Sequence, residues 1–200
     1  MKIFKTFESF LQEGVNDPGI LKAFFMAGGP GSGKSYVASE LFSLPKDEEL
    51  NSVSYDNGLK LVNSDKAFEL LLKKAGIDMA KLMQMKDADE EAWSHAMAIR
   101  DRAKELTKNS KKLYIEGRLG MIIDGTGHRY NKIAKLKKHA EGLGYDCYMV
   151  FVNTSLKVAQ ERNKQRERIL PDDLLTKSWQ DVQDNLGKFQ NLFGRNFRIV

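Results

Sequence analysis

The chain has 200 residues, of which 42% are hydrophobic and 30% are charged, as is typical of one globular domain or of one domain with an appended lid. Its net charge of +5 favours anionic partners such as nucleotides or nucleic acid. No apolar run approaches the roughly 18 residues of a membrane span. The single cysteine, Cys147, lies in an apolar run and excludes an internal disulfide, and the three scattered histidines indicate no zinc site. We therefore expect a cytoplasmic protein without a membrane segment.

Residues 1–18 form a distinct N-terminal segment. Its apolar side chains fall at helical spacing, which predicts an amphipathic helix packed against the domain. The sequence LQEG at 11–14 also resembles the end of the short capsid-targeting leaders of tailed phages, which a head protease cuts after Leu-x-Glu. Under this second hypothesis the protein is packaged in a virion. The residues at helical spacing are Phe4, Phe7, Phe10 and Leu11.

Short apolar runs alternate with longer helix-like segments along residues 19–200. The runs predicted to be strands cover 20–27, 59–62, 120–123, 147–152 and 197–200. Helices are predicted over 34–44, 65–75, 89–108, 131–143, 156–167 and 172–186, and an insertion loop over 45–58. This alternation is the pattern of an α/β protein with a parallel sheet that is buried on both faces.

The first predicted strand leads directly into a phosphate-binding loop. Residues 28–35 have the sequence GGPGSGKS, which satisfies G-x-x-x-x-G-K-[ST] between a strand and a helix. Its glycines let backbone N–H groups point at phosphate oxygens, Lys34 would reach the β- and γ-phosphates, and Ser35 would bind Mg²⁺. We therefore predict a P-loop NTPase-type parallel sheet of about five strands flanked by helices, with a helical lid. The predicted ATP-binding residues of this loop are Gly28, Gly29, Pro30, Gly31, Ser32, Gly33, Lys34, Ser35 and Tyr36.

The third predicted strand ends in an acid, Asp124, within the sequence MIIDGTGH. Ligands of open α/β sheets bind at the carboxyl ends of the strands, so Asp124 is a candidate for holding Mg²⁺. Gly125 follows it where a hydrolytic motor usually has a Glu that activates water, and the sequence has no N-K-x-D element for guanine. A phosphatase of the haloacid-dehalogenase type would need an Asp where Ile122 stands. These observations disfavour a motor, a GTPase and a phosphatase, and they favour a kinase.

A kinase needs a base for the acceptor hydroxyl and cations for the transferring phosphoryl group. Asp65 lies at the end of the second apolar run and at the start of a helix, so it is the candidate base, although an Asp at this place can also be a helix N-cap. The cations follow the fourth strand as Arg162, Arg166 and Arg168. Positions 162 and 166 share a helix face, so both guanidinium groups could close over the phosphates. A solvated basic face is the alternative for these arginines.

The stretch FVNTSLKVAQERNKQRERILPDDLLTKSWQDVQDNLG at 151–187 resembles the lid and the following helices of the bacteriophage polynucleotide 5'-hydroxyl kinase. The shared features are an R-N-x-x-R step, a Pro-x-Asp-x-Leu helix start and a terminal Leu-Gly. The P-loop and the strand ends VNSD and IIDGTG follow in that kinase's order, and the related zeta-toxin kinases share the plan. The resemblance covers about 20–75 and 119–190. It implies ATP and Mg²⁺ binding by Lys34 and Ser35, base catalysis by Asp65, phosphate contacts by Arg166 and Arg162, and a place near the acceptor for Asp124.

Two features depart from that kinase. Phe68 stands where an arginine would be expected after the catalytic Asp, and Lys66 follows Asp65 at once, which leaves the acceptor contact open. We also expect no appended phosphatase domain, so that a repair role would be limited to the kinase reaction.

Residues 76–118 form a helical insertion without a counterpart in that kinase, and we expect it to cap the acceptor side. One stripe of its predicted helix carries Trp93, Met97, Arg100 and Lys104, which would turn Arg100 toward the interior, where it would meet an anionic partner or an ion pair within the fold. Residues 108–138 carry nine Lys or Arg against two acids, which suits either a phosphodiester backbone or a solvated helix face. Two further candidates for acceptor binding, Arg118 and Arg129, flank the third strand.

The sequence therefore predicts an ATP- and Mg²⁺-dependent phosphotransferase that has a lid over about 156–172 and moves the γ-phosphate to a hydroxyl. The favoured acceptor is a 5'-hydroxyl polynucleotide. A zeta-toxin-like or small-molecule kinase, acting on a nucleoside or a sugar nucleotide, is one alternative, and a non-catalytic ATP-binding protein is another. The catalytic candidates are Lys34, Asp65 and Arg166, and the acceptor-binding candidates are Asp65, Arg100, Arg118, Asp124 and Arg129. Nothing in the sequence indicates an oligomeric state.

Overall fold

The structure of the protein is a computed structural model that describes residues 19–42, 58–82, 88–166 and 169–200. The N-terminal segment over 1–18, nearly all of the insertion loop predicted over 45–58, and Arg168 lie outside the described residues. Among the described residues, no helix combines the length and the apolar character that crossing a bilayer requires.

Five parallel strands form one sheet in the order β2-β3-β1-β4-β5. Every strand therefore connects to its successor through a crossover, which is why helices separate them. In the register, Met26 lies opposite Asp124, and Ala27 lies opposite Phe151, so these strands end at the same edge of the sheet. The predicted parallel α/β sheet is confirmed. The strands are β1 (Lys22–Ala27), β2 (Lys60–Val62), β3 (Met121–Asp124), β4 (Asp146–Phe151) and β5 (Phe197–Ile199).

Seven α-helices flank the sheet in the described part of the chain. Three of them differ from the sequence prediction, one of them being the helix predicted over 156–167, which ends at Lys164. The helix predicted to end near 108 continues to Glu116, because Ile115 is buried against the sheet and this packing outweighs the weak helix propensity of Asn109 and Ser110. The helix predicted over 172–186 ends at Gln183 and is followed by a separate helix. The helices are α1 (Lys34–Phe42), α2 (Ser64–Lys74), α3 (Glu90–Glu116), α4 (Tyr130–Gly142), α5 (Leu156–Lys164), α6 (Asp172–Gln183) and α7 (Leu186–Phe193).

The core lies on both faces of the sheet. All six residues of β1 are buried, because β1 is the central strand and helices cover both of its faces. Successive residues point to opposite sides, so Phe24 packs with Phe42 on one side, and Phe25 packs with Phe193 on the other. Cys147 belongs to the second side, and burial raises the pKa of its thiol to about 12. This position agrees with its interpretation as a small core residue.

A third cluster joins α2 to α3 beside the sheet. Phe68 and Leu72 of α2 pack against Ala96 and Ala103 of α3, and all four are buried. Small residues on α3 let the two helices approach closely, and α3 thereby extends along the β2 edge. The helical insertion is thus fixed to the helix that carries Asp65.

Candidate active site

The P-loop connects β1 to α1 at the edge where the strands end. Gly31 has a φ of 76°, and a Cβ atom there would lie 2.6 Å from the carbonyl oxygen of Ala159 in α5. Only glycine fits both the left-handed backbone and this close approach. The loop is therefore packed directly beneath α5, the first helix of the predicted lid.

Lys34 lies in the hollow of this loop. Its Nζ donates to the carbonyl oxygens of Gly28 at 2.7 Å and Gly29 at 3.3 Å. Burial lowers the pKa of the Lys34 ammonium below its usual value of 10.5; Asp124 opposes this shift, and Arg166 adds to it. An anion in the hollow would stabilise the charged form of this amine.

Asp124 ends β3 beside the P-loop. Its Oδ2 accepts a hydrogen bond from Asn63 Nδ2 at 2.7 Å. Its Oδ1 is buried and has no hydrogen-bond partner among the described residues, and the same holds for the hydroxyl of Ser32. Burial raises the pKa of the Asp124 carboxyl, although the ammonium of Lys34 opposes that shift. A buried carboxylate oxygen without a partner suits oxygen-seeking Mg²⁺, and Ser35 lines the same cavity as Asp124, so the Asp124 carboxylate and the Ser35 hydroxyl are suited to hold that ion.

Asp65 is the second residue of α2, and it is not the cap of that helix. The N-cap is Asn63, whose Oδ1 accepts hydrogen bonds from the backbone N–H groups of Asp65 at 2.8 Å and Lys66 at 3.1 Å. The helix-cap interpretation of Asp65 is therefore wrong. Its exposed carboxylate lines the same cavity as Lys34.

Two arginines approach this cavity from the α5 side, in different ways. Arg162 lies in the last turn of α5, and its Nη1 donates to the P-loop carbonyl oxygens of Gly31 at 3.3 Å and Ser32 at 3.1 Å. Arg166 lies beyond the end of α5, is exposed, and lines the cavity. The two residues therefore do not share a helix face as expected, because α5 ends at Lys164. Arg162 binds the loop, and Arg166 is available to a ligand.

The sequence analysis missed Asn163, which closes the loop that carries Arg166. Its side chain is 1% exposed. Nδ2 donates to the carbonyl oxygen of Leu170 at 2.8 Å, and the Leu170 N–H donates to Oδ1 at 3.1 Å. This two-point contact joins α5 to the segment before α6. The only sequence signal for it was the R-N-x-x-R step, which drew attention to the arginines alone.

A single cavity of about 670 Å³ connects these groups. Arg100 of α3 also lines it, with its guanidinium 5.8 Å from the centre of the Phe68 ring. Such a distance allows a cation–π contact, which orients the guanidinium. The predicted residues that line the cavity are Pro30, Gly31, Ser32, Gly33, Lys34, Ser35, Asp65, Arg100, Asp124, Arg162 and Arg166; the sequence analysis missed Asn63, Lys66 as a wall residue, Glu69, Thr126, Leu170, Leu174 and Ser178.

Two predicted acceptor-binding residues lie elsewhere, as does Lys104, which was expected on the same helix stripe as Arg100. The carbonyl of Arg118 accepts from the Leu21 N–H at 2.9 Å before β1 begins, so Arg118 lies at the opposite edge of the sheet and its predicted acceptor contact is wrong. Arg129 precedes α4, is exposed, and does not line the cavity. Lys104 is exposed and pairs with Asp101 at 2.7 Å, so it does not share the inward position of Arg100.

Tyr36 lies on the other side of the P-loop. It is 65% exposed and borders a second cavity of about 450 Å³, which we call the Tyr36 cavity. Val37, Val152 and Val200 supply apolar walls, and Ser32, Gly33 and Arg162 line both this cavity and the main one.

Comparison with known proteins agrees with this arrangement. Residues 24–188 match the AAA domain family AAA_33. The chain belongs to this family. No curated protein sequence matches it. Both the sequence match and the observed fold, with its P-loop, sheet and flanking helices, therefore support this assignment.

Solved structures share this fold at low sequence identity. A chain in the complex of AvrRxo1-ORF1 and AvrRxo1-ORF2 with sulphate ions has a TM-score of 0.66 at 14% identity, and the match covers 99% of this chain and 61% of that one. Another structure of that complex contains ATP, with a TM-score of 0.61 and 16% identity over 99% and 60% of the two chains. This chain therefore spans about three fifths of the first structures that it matches.

Two further matches come from other systems. A chain of the PezAT toxin–antitoxin system of Streptococcus pneumoniae has a TM-score of 0.54 at 12% identity, over 99% of this chain and 74% of that chain. A chain of the Pnkp1/Rnl/Hen1 RNA repair complex has a TM-score of 0.53 at 18% identity, over 89% and 48%. At these identities the likeness concerns the fold.

Proposed function

We propose that the protein is an ATP-dependent kinase that transfers a phosphoryl group to a hydroxyl acceptor. One observation carries this proposal: the P-loop amine of Lys34, the carboxylate of Asp65 and the guanidinium of Arg166 line the same cavity. A protein that only stores nucleotide needs only groups that bind the phosphates. A kinase also needs a group that positions the acceptor, because the acceptor oxygen must approach the γ-phosphate in line with the bond that breaks.

The charges of the cavity suit the phosphate chain of ATP. Lys34 and Arg166 would contact the β- and γ-phosphates, since both face the cavity and their mutual repulsion is relieved by an anion between them. Ser35 and Asp124 would hold Mg²⁺, which when bound neutralises charge on the phosphate oxygens. The nucleoside would occupy the apolar Tyr36 cavity, which adjoins the P-loop at Gly33. The fold likeness to a complex that contains ATP supports this choice of nucleotide.

Asp65 would act as the base. The acceptor oxygen attacks the γ-phosphorus, the bond to the β-phosphate oxygen breaks to release ADP, and the hydroxyl proton passes to the Asp65 carboxylate. Helix α2 holds Asp65 at the cavity, while its side chain stays exposed to an incoming acceptor.

The acceptor side of the cavity carries two cations, which would suit an acceptor that carries phosphate, beside the acids Asp65 and Glu69. Arg100 and Lys66 line it, and Asp101, the acid next to Arg100, is already paired with Lys104. Lys108, Lys111 and Lys132 form what we call the lysine face on α3 and α4. Burial lowers the pKa of Lys111, and Lys132 and Lys108 lower it further. None of the three has an ion pair among the described residues.

We favour a 5'-hydroxyl polynucleotide as the acceptor, since a polyanion could contact Arg100 and the lysine face together. A small anionic acceptor, such as a sugar nucleotide, is the second candidate. It is favoured by Leu170 and Leu174, which add apolar surface to the cavity and would help to enclose a compact ligand.

The test is transfer of labelled γ-phosphate to 5'-hydroxyl DNA, 5'-hydroxyl RNA, nucleosides and sugar nucleotides. Lys34→Ala and Arg166→Ala should abolish transfer, whereas Lys164→Ala, a nearby charge removal outside both cavities, should retain it. Asp65→Asn should bind ATP and stop turnover. Normal turnover of Asp65→Asn would remove the base assignment, and ATP binding without transfer to any acceptor would contradict the kinase proposal.

The two acceptor classes differ in their response to salt and charge. A polynucleotide should bind much more weakly as salt rises from 50 to 200 mM, by about tenfold or more if several phosphates are contacted. Lys111→Gln should then raise KM for a long oligonucleotide and leave KM for a dinucleotide unchanged. If transfer occurs only to small acceptors and ignores salt, the polynucleotide proposal fails while the kinase proposal stands.

A further inference from the structure

Asn63 connects three parts of the candidate site through one side chain. Its Oδ1 accepts from the N–H groups of Asp65 at 2.8 Å and Lys66 at 3.1 Å, and its Nδ2 donates to Asp124 Oδ2 at 2.7 Å. The opposite amide orientation would place an NH₂ group against two N–H donors and an oxygen against a carboxylate. The hydrogen bonds therefore fix the orientation of the amide.

The position of Asn63 explains why such a connection is needed. β2 and β3 are paired up to Val62 and Ile123, and the ladder ends there. Beyond that pair, β2 turns into α2 and β3 turns into the loop after Asp124. The side-chain hydrogen bond between Asn63 and Asp124 joins the two chain segments for one residue beyond the ladder. The same side chain accepts from the Asp65 N–H, so the start of α2 is tied to Asp124 as well.

The same bond determines which oxygen of Asp124 remains available. Oδ2 is occupied by the Asn63 amide, and Oδ1 is buried without a partner among the described residues, on a residue that lines the cavity. A carboxylate without this contact could rotate about its Cβ–Cγ bond and exchange its two oxygens.

We propose that Asn63 is a positioning residue that holds the Asp124 carboxylate and the Asp65 turn in one fixed relation across the cavity. This inference rests on the proposed kinase function, since it assigns a joint role to the metal-binding and base carboxylates. Neither serine nor aspartate at position 63 could replace asparagine in this role. Serine caps a helix as well as asparagine but is too short to reach Asp124, and aspartate caps but cannot donate a hydrogen bond.

The test uses Asn63→Ser and Asn63→Asp. A matched control is Asp89→Ser, which exchanges the cap of α3, where the Asp89 side chain accepts from the Ala92 N–H at 2.9 Å. We expect Asp89→Ser to melt close to the wild type because it retains a capping side chain, and both Asn63 variants to melt at a lower temperature while still folding, because they keep the cap but remove the hydrogen-bond donor of the Asp124 carboxylate. Asn63→Ser should lower kcat by about 10- to 100-fold, as is usual when the partner of a metal-binding group is lost. Asn63→Asp should lower kcat further, because the new carboxylate would face the Asp124 carboxylate and repel it.

A second measurement does not depend on turnover. Binding of a fluorescent ATP analogue is followed while Mg²⁺ is titrated. Metal-free binding should be unchanged in Asn63→Ser, whereas the Mg²⁺ concentration for half-maximal binding should rise by about 10-fold or more. Asp89→Ser should match the wild type in both measurements.

Wild-type kcat and Mg²⁺ dependence in Asn63→Ser would overturn the inference. So would a variant that loses metal-free binding and thermal stability together, since that result would describe a general structural role. If the wild type transfers phosphate to no acceptor, the kinase proposal fails, yet the Mg²⁺ titration still decides whether Asn63 positions Asp124.

Discussion

Replacing Asn163 with alanine tests whether the α5–α6 connection positions Arg166. The substitution removes both hydrogen bonds to Leu170, of 2.8 and 3.1 Å, from a side chain that is 1% exposed. Each such bond contributes a net ~0.5–1.5 kcal/mol, so the closed loop loses about 1–3 kcal/mol. Since 1.4 kcal/mol is a factor of ten, the ratio of closed to open loop should fall by about 5- to 150-fold.

The assay is the KM for ATP together with the Kd of a fluorescent ATP analogue. Both should rise, because Arg166 contacts the phosphates less often when its loop is open. The matched control is Asn196→Ala, which removes a hydrogen bond from Nδ2 to the Cys147 carbonyl at 3.1 Å, near the start of β4 and away from the cavity edge of the sheet. It should lower the melting temperature without changing KM. Equal KM values for Asn163→Ala and wild type, or equal increases in both variants, would refute the reasoning.

Gly31→Ala should abolish nucleotide binding, because a Cβ atom there would lie 2.6 Å from Ala159, and its φ of 76° alone should cost about 1–2 kcal/mol of stability. The control is Gly142→Ala, whose Cβ meets nothing within 4 Å. Normal nucleotide binding by Gly31→Ala would contradict the packing of the P-loop against Ala159. The lowered pKa of Lys34 means that the unfolded chain binds a proton that the folded chain has already lost at alkaline pH. Stability relative to Lys34→Met should therefore rise as pH increases from the folded pKa towards 10.5, while ATP affinity falls over the same range; parallel melting curves for the two proteins would refute this. The Cys147 thiol, with a pKa of about 12 and 2% exposure, should react with a thiol reagent only when the protein unfolds. Prompt labelling of the native protein would contradict the burial of Cys147 in the core.

Local patterns in the sequence were enough to predict the sheet and the P-loop. The apolar runs and the GGPGSGKS segment act over a few consecutive residues, so their structure follows from neighbours in the chain. Asp124 was predicted at the carboxyl edge because it directly follows an apolar strand, and Asp65 because it follows another. The length of α3 was not predictable in this way, since Ile115 continues the helix through a contact with residues distant in sequence.

The sequence by itself determined the parallel α/β fold, the phosphate loop and the two acids at strand ends. Only the tertiary structure decided which cations accompany them. Arg118 precedes β3 and so lies at the wrong edge, while Arg100, from a helix packed on α2, reaches the cavity. Asn63 is held by hydrogen bonds to residues two and 61 positions away, and Asn163 by hydrogen bonds to a residue seven positions away. Strand order and helix packing bring such groups together, and neither is encoded by spacing along the chain.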